Sequence, residues 1–131
     1  MNKDFKREKY ERVAGWLEGK KQPPLSLEYN VTNKCNLNCI SCKAIGNFDD
    51  VKKEDELDKK KALNLVKEAD KLGVEKIQLS GGGEPLAKSF SLHLMKKIKD
   101  RDMIGDLITN GTLFSQQDIK EVVNHKWDSI K

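Results

Sequence analysis

The sequence has no long apolar run and few aromatic residues. Its 131 residues are 37% hydrophobic, but each apolar stretch is only a few residues long, so no segment is suited to crossing a membrane. Aromatic residues make up 6% of the chain and do not interleave with a basic patch, so the formal net charge of +4 does not predict a nucleic-acid partner. The charged start of the chain lacks the apolar core of a secretory signal. We therefore expect a cytoplasmic protein with neither membrane nor nucleic acid as a partner.

Cysteine is also scarce, and it is unevenly placed. The three cysteines all lie between Cys35 and Cys42. An odd number of cysteines at such close spacing argues against a disulfide framework and is typical of a reducing compartment. The remaining composition, with 35% charged residues, is that of a globular protein. A chain of this length is expected to form one domain with a modest core.

Hydrophobic periodicity predicts strands that alternate with helices. The first helix, whose Tyr10 and Trp16 are expected to hold it against the sheet, ends before Pro23. In the last helix, Ile119, Val122 and Val123 are expected to point inward. The predicted elements are, in chain order, helix 3–18, a strand from 25, helix 55–72, strand 75–79, helix 88–100, strand 104–109, helix 115–124 and a strand stub at 127–131.

This alternation implies parallel strands joined by right-handed crossovers. Beyond the first 24 residues 107 remain. A (β/α) barrel uses roughly 31 residues for each of its eight units, so the chain holds about three and a half units. We predict an α/β fold in which residues 25–131 form a truncated (β/α) partial TIM barrel with parallel strands. Residues 1–24 are predicted to form an N-terminal helix and linker.

The sharpest motif is Cys35-Asn-Leu-Asn-Cys39-Ile-Ser-Cys42, in a polar loop after the first strand. Soft thiolates at this spacing suit an iron–sulfur cluster or zinc. Structural zinc needs four protein ligands, and only His93 and His125, in other predicted elements, could add an imidazole. A cubane cluster held by three thiolates leaves one iron free for an outside ligand. We favour a cluster, with zinc and plain structural thiols as the alternatives.

Two further motifs follow later strands. The run Gly81-Gly82-Gly83-Glu84-Pro85 comes after the second strand, at the edge where open α/β sheets bind ligands. Glycines there let backbone groups approach a ligand closely, so Gly83→Val is expected to weaken ligand binding while sparing the cluster. The run Thr109-Asn110-Gly111 ends the third strand at the same edge. Each run has a plain alternative, because both compositions also form ordinary turns.

Cys-x3-Cys-x2-Cys directly after a first strand resembles the arrangement of the radical S-adenosylmethionine (radical SAM) superfamily, and the segment 31–39 is similar to that of its members. The resemblance covers about residues 25–131, the first half of the family's usual six-unit partial barrel. It implies that Cys35, Cys39 and Cys42 bind a 4Fe–4S cluster whose fourth iron is chelated by S-adenosylmethionine. One electron from the cluster would then cleave the sulfonium to a 5′-deoxyadenosyl radical, which abstracts hydrogen from a substrate.

The resemblance implies roles for the other two motifs as well. The glycine-rich run matches the family's Gly-Gly-Glu-Pro element, which grips the methionyl amino group, and the third motif is similar to an element that faces the cofactor. One departure is Ser41, where the family usually has an aromatic residue. The expected cofactor-binding residues are Gly82, Gly83, Glu84, Pro85, Thr109, Asn110 and Gly111.

The resemblance also implies an electron donor such as flavodoxin or ferredoxin, and a substrate that the sequence does not name. The favoured function is that of a truncated radical SAM protein. Whether this stretch alone is catalytic is left open. The alternatives are a non-catalytic iron–sulfur or zinc-binding module derived from such an enzyme, and a zinc-stabilised interaction domain.

An unfinished sheet is expected to expose an apolar inner face. Five apolar residues are candidates for that face, depending on which of them point inward: Leu25, Leu27, Ile77, Leu79 and Ile108. We therefore expect the chain to self-associate or to pair with a second chain that completes the barrel.

Overall fold

The computed structural model describes residues 5–43 and 56–131. Strands and helices alternate in the order α1 (Phe5–Leu17), β1 (Ser26–Asn30), α2 (Ile40–Lys43), α3 (Lys59–Leu72), β2 (Lys76–Ser80), a 3-10 turn (Pro85–Ala87), α4 (Ser91–Lys99), β3 (Ile104–Leu107), α5 (Gln116–Asn124) and β4 (Ser129–Ile130). The four strands form one parallel sheet in sequence order. The predicted α/β fold with parallel strands is therefore confirmed, and the sheet is that of a partial barrel.

Local capping signals set the helix boundaries. The Asp58 side chain accepts a backbone hydrogen bond at the start of α3, and Gly73 ends that helix with a left-handed φ of 86°. At the start of α5, Ser115 and Asp118 form a reciprocal capping box. Residues 3, 4 and 55 of the predicted helices lie outside the described residues. In the two described ranges, no helix is long and apolar enough to cross a membrane.

One face of the sheet is apolar and packs against the helices. In register, Tyr29 of β1 lies beside Leu79 of β2, which lies beside Leu107 of β3, and all three are buried. Leu94 and Ile98 of α4 are fully buried against this face. Burial of a side chain of this size contributes about 1.5–3 kcal/mol, so the packing fixes which face of each strand turns toward the helices.

The opposite face is polar, and this corrects the expected apolar inner face. Glu28, Gln78 and Asp106 lie side by side in register there. Asp106 is buried between Lys76, at 3.0 Å, and Lys131, at 2.7 Å. Burial raises the pKa of Asp106, but hydrogen bonds from the two lysines and a serine outweigh it and lower that pKa.

The apolar residues proposed for the inner face lie mainly elsewhere. Leu25, Ile77 and Leu79 are buried in the core, and Leu27 packs against it. Ile108, just after β3, is exposed. The strands alternate in polarity, so the same pattern that places these apolar residues under the helices puts polar side chains on the other face.

The first helix is anchored differently from the prediction. Tyr10 and Trp16 are 64% and 48% exposed, whereas Arg12 is buried. The Arg12 guanidinium donates to the carbonyl oxygens of Pro23, Pro24 and Gly73 at 3.0–3.3 Å. These carbonyls precede β1 and β2, so Arg12 ties α1 to the amino ends of the strands. The Trp16 indole adds one hydrogen bond to the linker, to the Gln22 carbonyl oxygen at 3.0 Å.

The apolar stripe of α5 is only partly buried. Val122 is buried as predicted, but Ile119 is 50% exposed and Val123 is 68% exposed. Both line a groove of about 330 Å³ together with Phe114 and Ile130. The prediction that all three residues point into the core was therefore wrong for two of them, because α5 packs against α4 and, of the three, only Val122 reaches the buried core.

Candidate functional site

The three sequence motifs meet at one edge of the sheet. β1 leads into the cysteine loop, β2 into the glycine-rich turn, and β3 into the run 109–111. Carboxyl ends of parallel strands share an edge, and ligands of open α/β sheets bind outside that edge. Direct hydrogen bonds join all three segments.

The glycine-rich turn packs directly against the backbone of the residues just before the first cysteine. The Gly83 N–H donates to the Thr32 carbonyl oxygen at 3.1 Å, and the Glu84 N–H donates to the Lys34 carbonyl oxygen at 2.9 Å. A Cβ on Gly83 would lie 2.1 Å from the Lys34 oxygen, and one on Gly81 would lie 2.4 Å from the Thr32 oxygen. The glycines therefore allow one backbone to approach another, and the backbone they approach carries Cys35.

Gly83→Ala is accordingly expected to disturb the cysteine loop, in contrast to the expectation from sequence that it would be spared. The collision is with backbone atoms, which cannot rotate away, so we expect the free energy of unfolding to fall by about 1–3 kcal/mol. Urea denaturation measures this. Gly19→Ala is the comparison, because nothing lies within 4 Å of a Cβ there and its loss of about 1–2 kcal/mol would come from the positive φ alone, so Gly83→Ala should lose more. An equal loss in both variants would contradict the steric explanation.

The Glu84 carboxylate connects the glycine-rich turn to the loop after β3. Glu84 is 2% exposed. Its Oε1 accepts from the Thr109 hydroxyl at 2.6 Å and from the Leu86 N–H at 2.9 Å, while its Oε2 accepts from the Asn110 N–H at 2.7 Å. Two motifs that are separate in sequence are thus fixed to each other by one buried carboxylate.

The run 109–111 is a turn, and it also contacts the cysteine loop. Gly111 has a left-handed φ of 73°, and its N–H donates to the Thr109 hydroxyl. The Asn110 Nδ2 lies 3.0 Å from Asn36 Oδ1 and 3.8 Å from the sulfur of Cys35. The interpretation of this run as an ordinary turn and its interpretation as part of the site are therefore compatible, because the same turn directs Asn110 toward the cysteine loop.

The three cysteines are free thiols and are all exposed. Cys39 directly precedes α2, and Cys42 lies within it. The Cys35 sulfur accepts from the Leu37 N–H at 3.4 Å. Within residues 5–43 and 56–131, no three His, Cys, Asp or Glu side chains gather around one point as a single metal ion requires.

A cubane cluster places a different demand on its ligands. Each thiolate binds a different iron, so the sulfurs need not converge on one point. Three unpaired, accessible thiols in one short segment supply the soft donor set that iron–sulfur clusters take. The residues present therefore fit a 4Fe–4S cluster.

The two histidines lie away from the cysteine loop. His93 is on α4, and His125 is the C-terminal cap of α5. Both line a cavity of about 430 Å³ between these helices, together with Glu121 and Trp127, and no cysteine lines it. In the part of the chain that the structure describes, neither histidine is placed to join the thiols.

Glu56 is a site residue that sequence reasoning missed. Its Oε1 accepts from the Thr32 hydroxyl at 2.6 Å and from the Asn33 N–H at 3.0 Å, and its Oε2 pairs with Lys88 at 2.5 Å. Its side chain is only 7% exposed. In the sequence, Glu56 belongs to a run of mixed charge that is typical of a solvated face. No local signal distinguishes this glutamate from its neighbours.

The charge of Glu56 makes this connection dependent on pH. Burial raises the pKa of Glu56, but hydrogen bonds from Lys88, Thr32 and Asn33 outweigh burial and lower the pKa from 4.5 to about 2. A lowered pKa in the folded state means that the ionised carboxylate stabilises the fold above pH 4.5. That stabilisation is lost as the pH falls from 4.5 toward about 2.

Glu56→Gln is expected to lower the free energy of unfolding by about 2 kcal/mol at neutral pH, because hydrogen bonds to a charged group are replaced by weaker ones. The difference between the two proteins should shrink as the pH falls from 4.5 to about 2, where the wild-type carboxyl becomes protonated. Urea denaturation across this range measures it. The exposed Glu18→Gln is the control and should show little difference at any pH. A constant difference for Glu56→Gln would contradict the assigned ion pair.

Comparison with known proteins identifies relatives along most of the chain. A family model described as the radical SAM superfamily matches residues 29–131. A probable GTP 3',8-cyclase of Methanothermobacter marburgensis is 32% identical over 120 residues, which cover 85% of this chain and 37% of that protein. The GTP 3',8-cyclase of Desulforamulus reducens is 32% identical over 112 residues, covering 79% and 34%. This chain spans about a third of the length of these relatives.

Solved structures share the fold. BtrN in complex with AdoMet and 2-DOIA superposes with a TM-score of 0.67 at 16% identity, covering 81% of this chain and 44% of that one. Streptococcus suis SuiB bound to S-adenosylmethionine superposes with a TM-score of 0.63 at 19% identity, covering 99% and 28%. These likenesses concern the fold, whereas the family model spans most of the sequence. The chain belongs to the radical SAM superfamily.

Proposed function

We propose that this chain binds a 4Fe–4S cluster through Cys35, Cys39 and Cys42 and places S-adenosylmethionine beside it for reductive cleavage. The observation that carries the proposal is the junction of the three motifs. The cysteine loop, the glycine-rich turn and the run 109–111 lie at one sheet edge and are hydrogen-bonded to one another. A cluster and the S-adenosylmethionine that chelates it need protein groups from more than one of these segments.

Each segment has a distinct task in this proposal. The three cysteines ligate three irons and leave one open position. Gly82, without a side chain, lets backbone polar groups of the turn contact the methionyl part of S-adenosylmethionine, while Gly83 lets the turn pack against the backbone before Cys35. Glu84 is engaged in three hydrogen bonds of its own, so its task is to hold the turn and the next loop in place.

The cluster, when bound, supplies the single electron that cleaves the sulfonium of S-adenosylmethionine. The protein groups bind and orient the two partners at the sheet edge. The exposure of the cysteines gives an external reductant, such as flavodoxin or ferredoxin, access to this edge. On the polar face of the sheet, Glu28 is exposed and Gln78 is partly exposed, which favours a polar substrate rather than an apolar one.

Anaerobic reconstitution with iron and sulfide, followed by reduction and addition of S-adenosylmethionine, tests the proposal. We expect a brown protein whose reduced spectrum changes on adding S-adenosylmethionine and which releases 5′-deoxyadenosine and methionine. A brown protein with no response to S-adenosylmethionine would instead support a non-catalytic cluster module. A colourless protein that retains zinc would support a zinc-stabilised domain.

A further inference from the structure

The Asn110 side chain belongs to the loop after β3 and contacts the cysteine loop, which lies more than 70 residues earlier in the sequence. Its Nδ2 is 3.8 Å from the sulfur of Cys35, a distance at which an amide can donate to a sulfur atom. The same nitrogen donates to Asn36 Oδ1 at 3.0 Å. An amide group has two N–H donors, so one can serve each partner.

The orientation of this amide is fixed by what its oxygen accepts. Asn110 Oδ1 accepts from the Thr112 N–H at 3.0 Å and from the Thr112 hydroxyl at 2.8 Å. A rotated amide would place its NH₂ group against the Thr112 N–H, which can only donate, and would lose that bond. The nitrogen must therefore face Cys35 and Asn36.

Three side chains form a closed ring that holds the amide in place. Asn110 donates to Asn36, Asn36 Nδ2 donates to the Thr112 hydroxyl at 2.8 Å, and that hydroxyl donates back to Asn110. Each member both donates and accepts, so the ring is internally satisfied. The backbone of Asn110 is held independently by Glu84. The N–H that points at Cys35 is thus positioned without help from the sulfur.

We propose that Asn110 is a positioning residue that donates an N–H to the Cys35 sulfur and thereby raises the reduction potential of the cluster. The inference rests on the proposed function, because it requires the cluster to be present. Hydrogen bonds to ligand sulfurs are among the factors that set cluster potentials. The reduced cluster carries one more negative charge than the oxidised one, so a donated N–H stabilises the reduced form more.

The sulfur of Cys35 has a second donor, the Leu37 N–H. Because that donor is a main-chain group within the cysteine loop, it persists when a side chain is changed. Asn110 is therefore the contact to this sulfur that a substitution can remove without altering the cysteine loop itself.

The test is a redox titration of the reconstituted full chain, without S-adenosylmethionine, monitored by electron paramagnetic resonance. Asn110→Ala and the similarly sized, uncharged Asn110→Leu both remove the N–H donor without adding a charge beside the cluster. We expect each midpoint potential to become more negative, with reduction about tenfold less favourable, which is about 59 mV for a one-electron couple. Thr112→Val is the matched control, since it opens the ring but keeps the amide and its bond to the Thr112 N–H. Its shift should be much smaller.

An unchanged potential in a loaded Asn110 variant would overturn the inference, as would an equal shift in Thr112→Val. Failure of both Asn110 variants to take up a cluster that the wild type takes up would also overturn it, because Asn110 would then be needed for assembly. A wild-type chain that binds no iron and sulfide would be a failure of the proposed function itself. The iron content of the wild type therefore separates the two failures.

Discussion

Replacing Cys42 with Ala is expected to abolish the reconstituted cluster, and Cys35→Ala and Cys39→Ala should do the same. Each replacement leaves one iron without its thiolate, and the remaining two sulfurs cannot hold the cubane. Iron and sulfide content and the brown absorbance of the reconstituted protein measure the effect. We expect loss of nearly all bound iron in each variant.

Ser41→Ala is the matched control for this series, because Ser41 lies beside Cys42 in the same short helix and is exposed. It should load as much iron as the wild type. Normal iron and sulfide content in Cys42→Ala would show that the third cysteine is not a ligand. Loss of iron in Ser41→Ala would mean that the loop, rather than the thiolates, decides assembly.

Glu84→Ala is expected to have the largest effect outside the cysteines. The substitution removes three hydrogen bonds to a buried carboxylate and leaves the Asn110 N–H without its acceptor. We expect the free energy of unfolding to fall by about 3 kcal/mol, as measured by urea denaturation. The turn and the loop after β3 would no longer be held together, so S-adenosylmethionine should bind about tenfold more weakly or worse in calorimetry of the reconstituted protein.

Thr109→Val provides the graded comparison. It removes the hydroxyl that donates to Glu84 and accepts from the Gly111 N–H, and it keeps the side-chain volume, so a loss of about 1–2 kcal/mol is expected. Equal stability of Glu84→Ala and the wild type would contradict the role of this carboxylate. If Thr109→Val weakened S-adenosylmethionine binding as much as Glu84→Ala does, the effect would be due to the threonine and not to the carboxylate.

The meeting of the three motifs could be predicted from the sequence, because parallel strands bring their carboxyl ends to one edge. The contact that joins the motifs could not. Glu84 is predicted as a residue that binds the cofactor, yet its carboxylate is taken up by Thr109, Asn110 and Leu86. Sequence spacing locates a motif, but it does not tell which of its side chains turn toward the ligand and which toward the protein.

Burial of charged residues was the least predictable feature. Arg12 and Glu56 each lie in stretches rich in both charges, where exposure is the ordinary expectation. Arg12 is buried because carbonyl oxygens of the linker and of Gly73 surround its guanidinium, and Glu56 is buried because Thr32 and Lys88 surround its carboxylate. These partners come from distant positions, so no local pattern carries the information.

The Glu56 contact has a consequence for the entropy of the chain. It joins Thr32 to a residue 24 positions later and so holds together the two ends of the segment that carries the cysteines. The entropic cost of bringing two points of a chain together rises by only about 0.6 kcal/mol for each doubling of their separation. The contact therefore costs little more than one across half that separation would, and the cysteines are attached to the fold at both ends of their segment rather than at one.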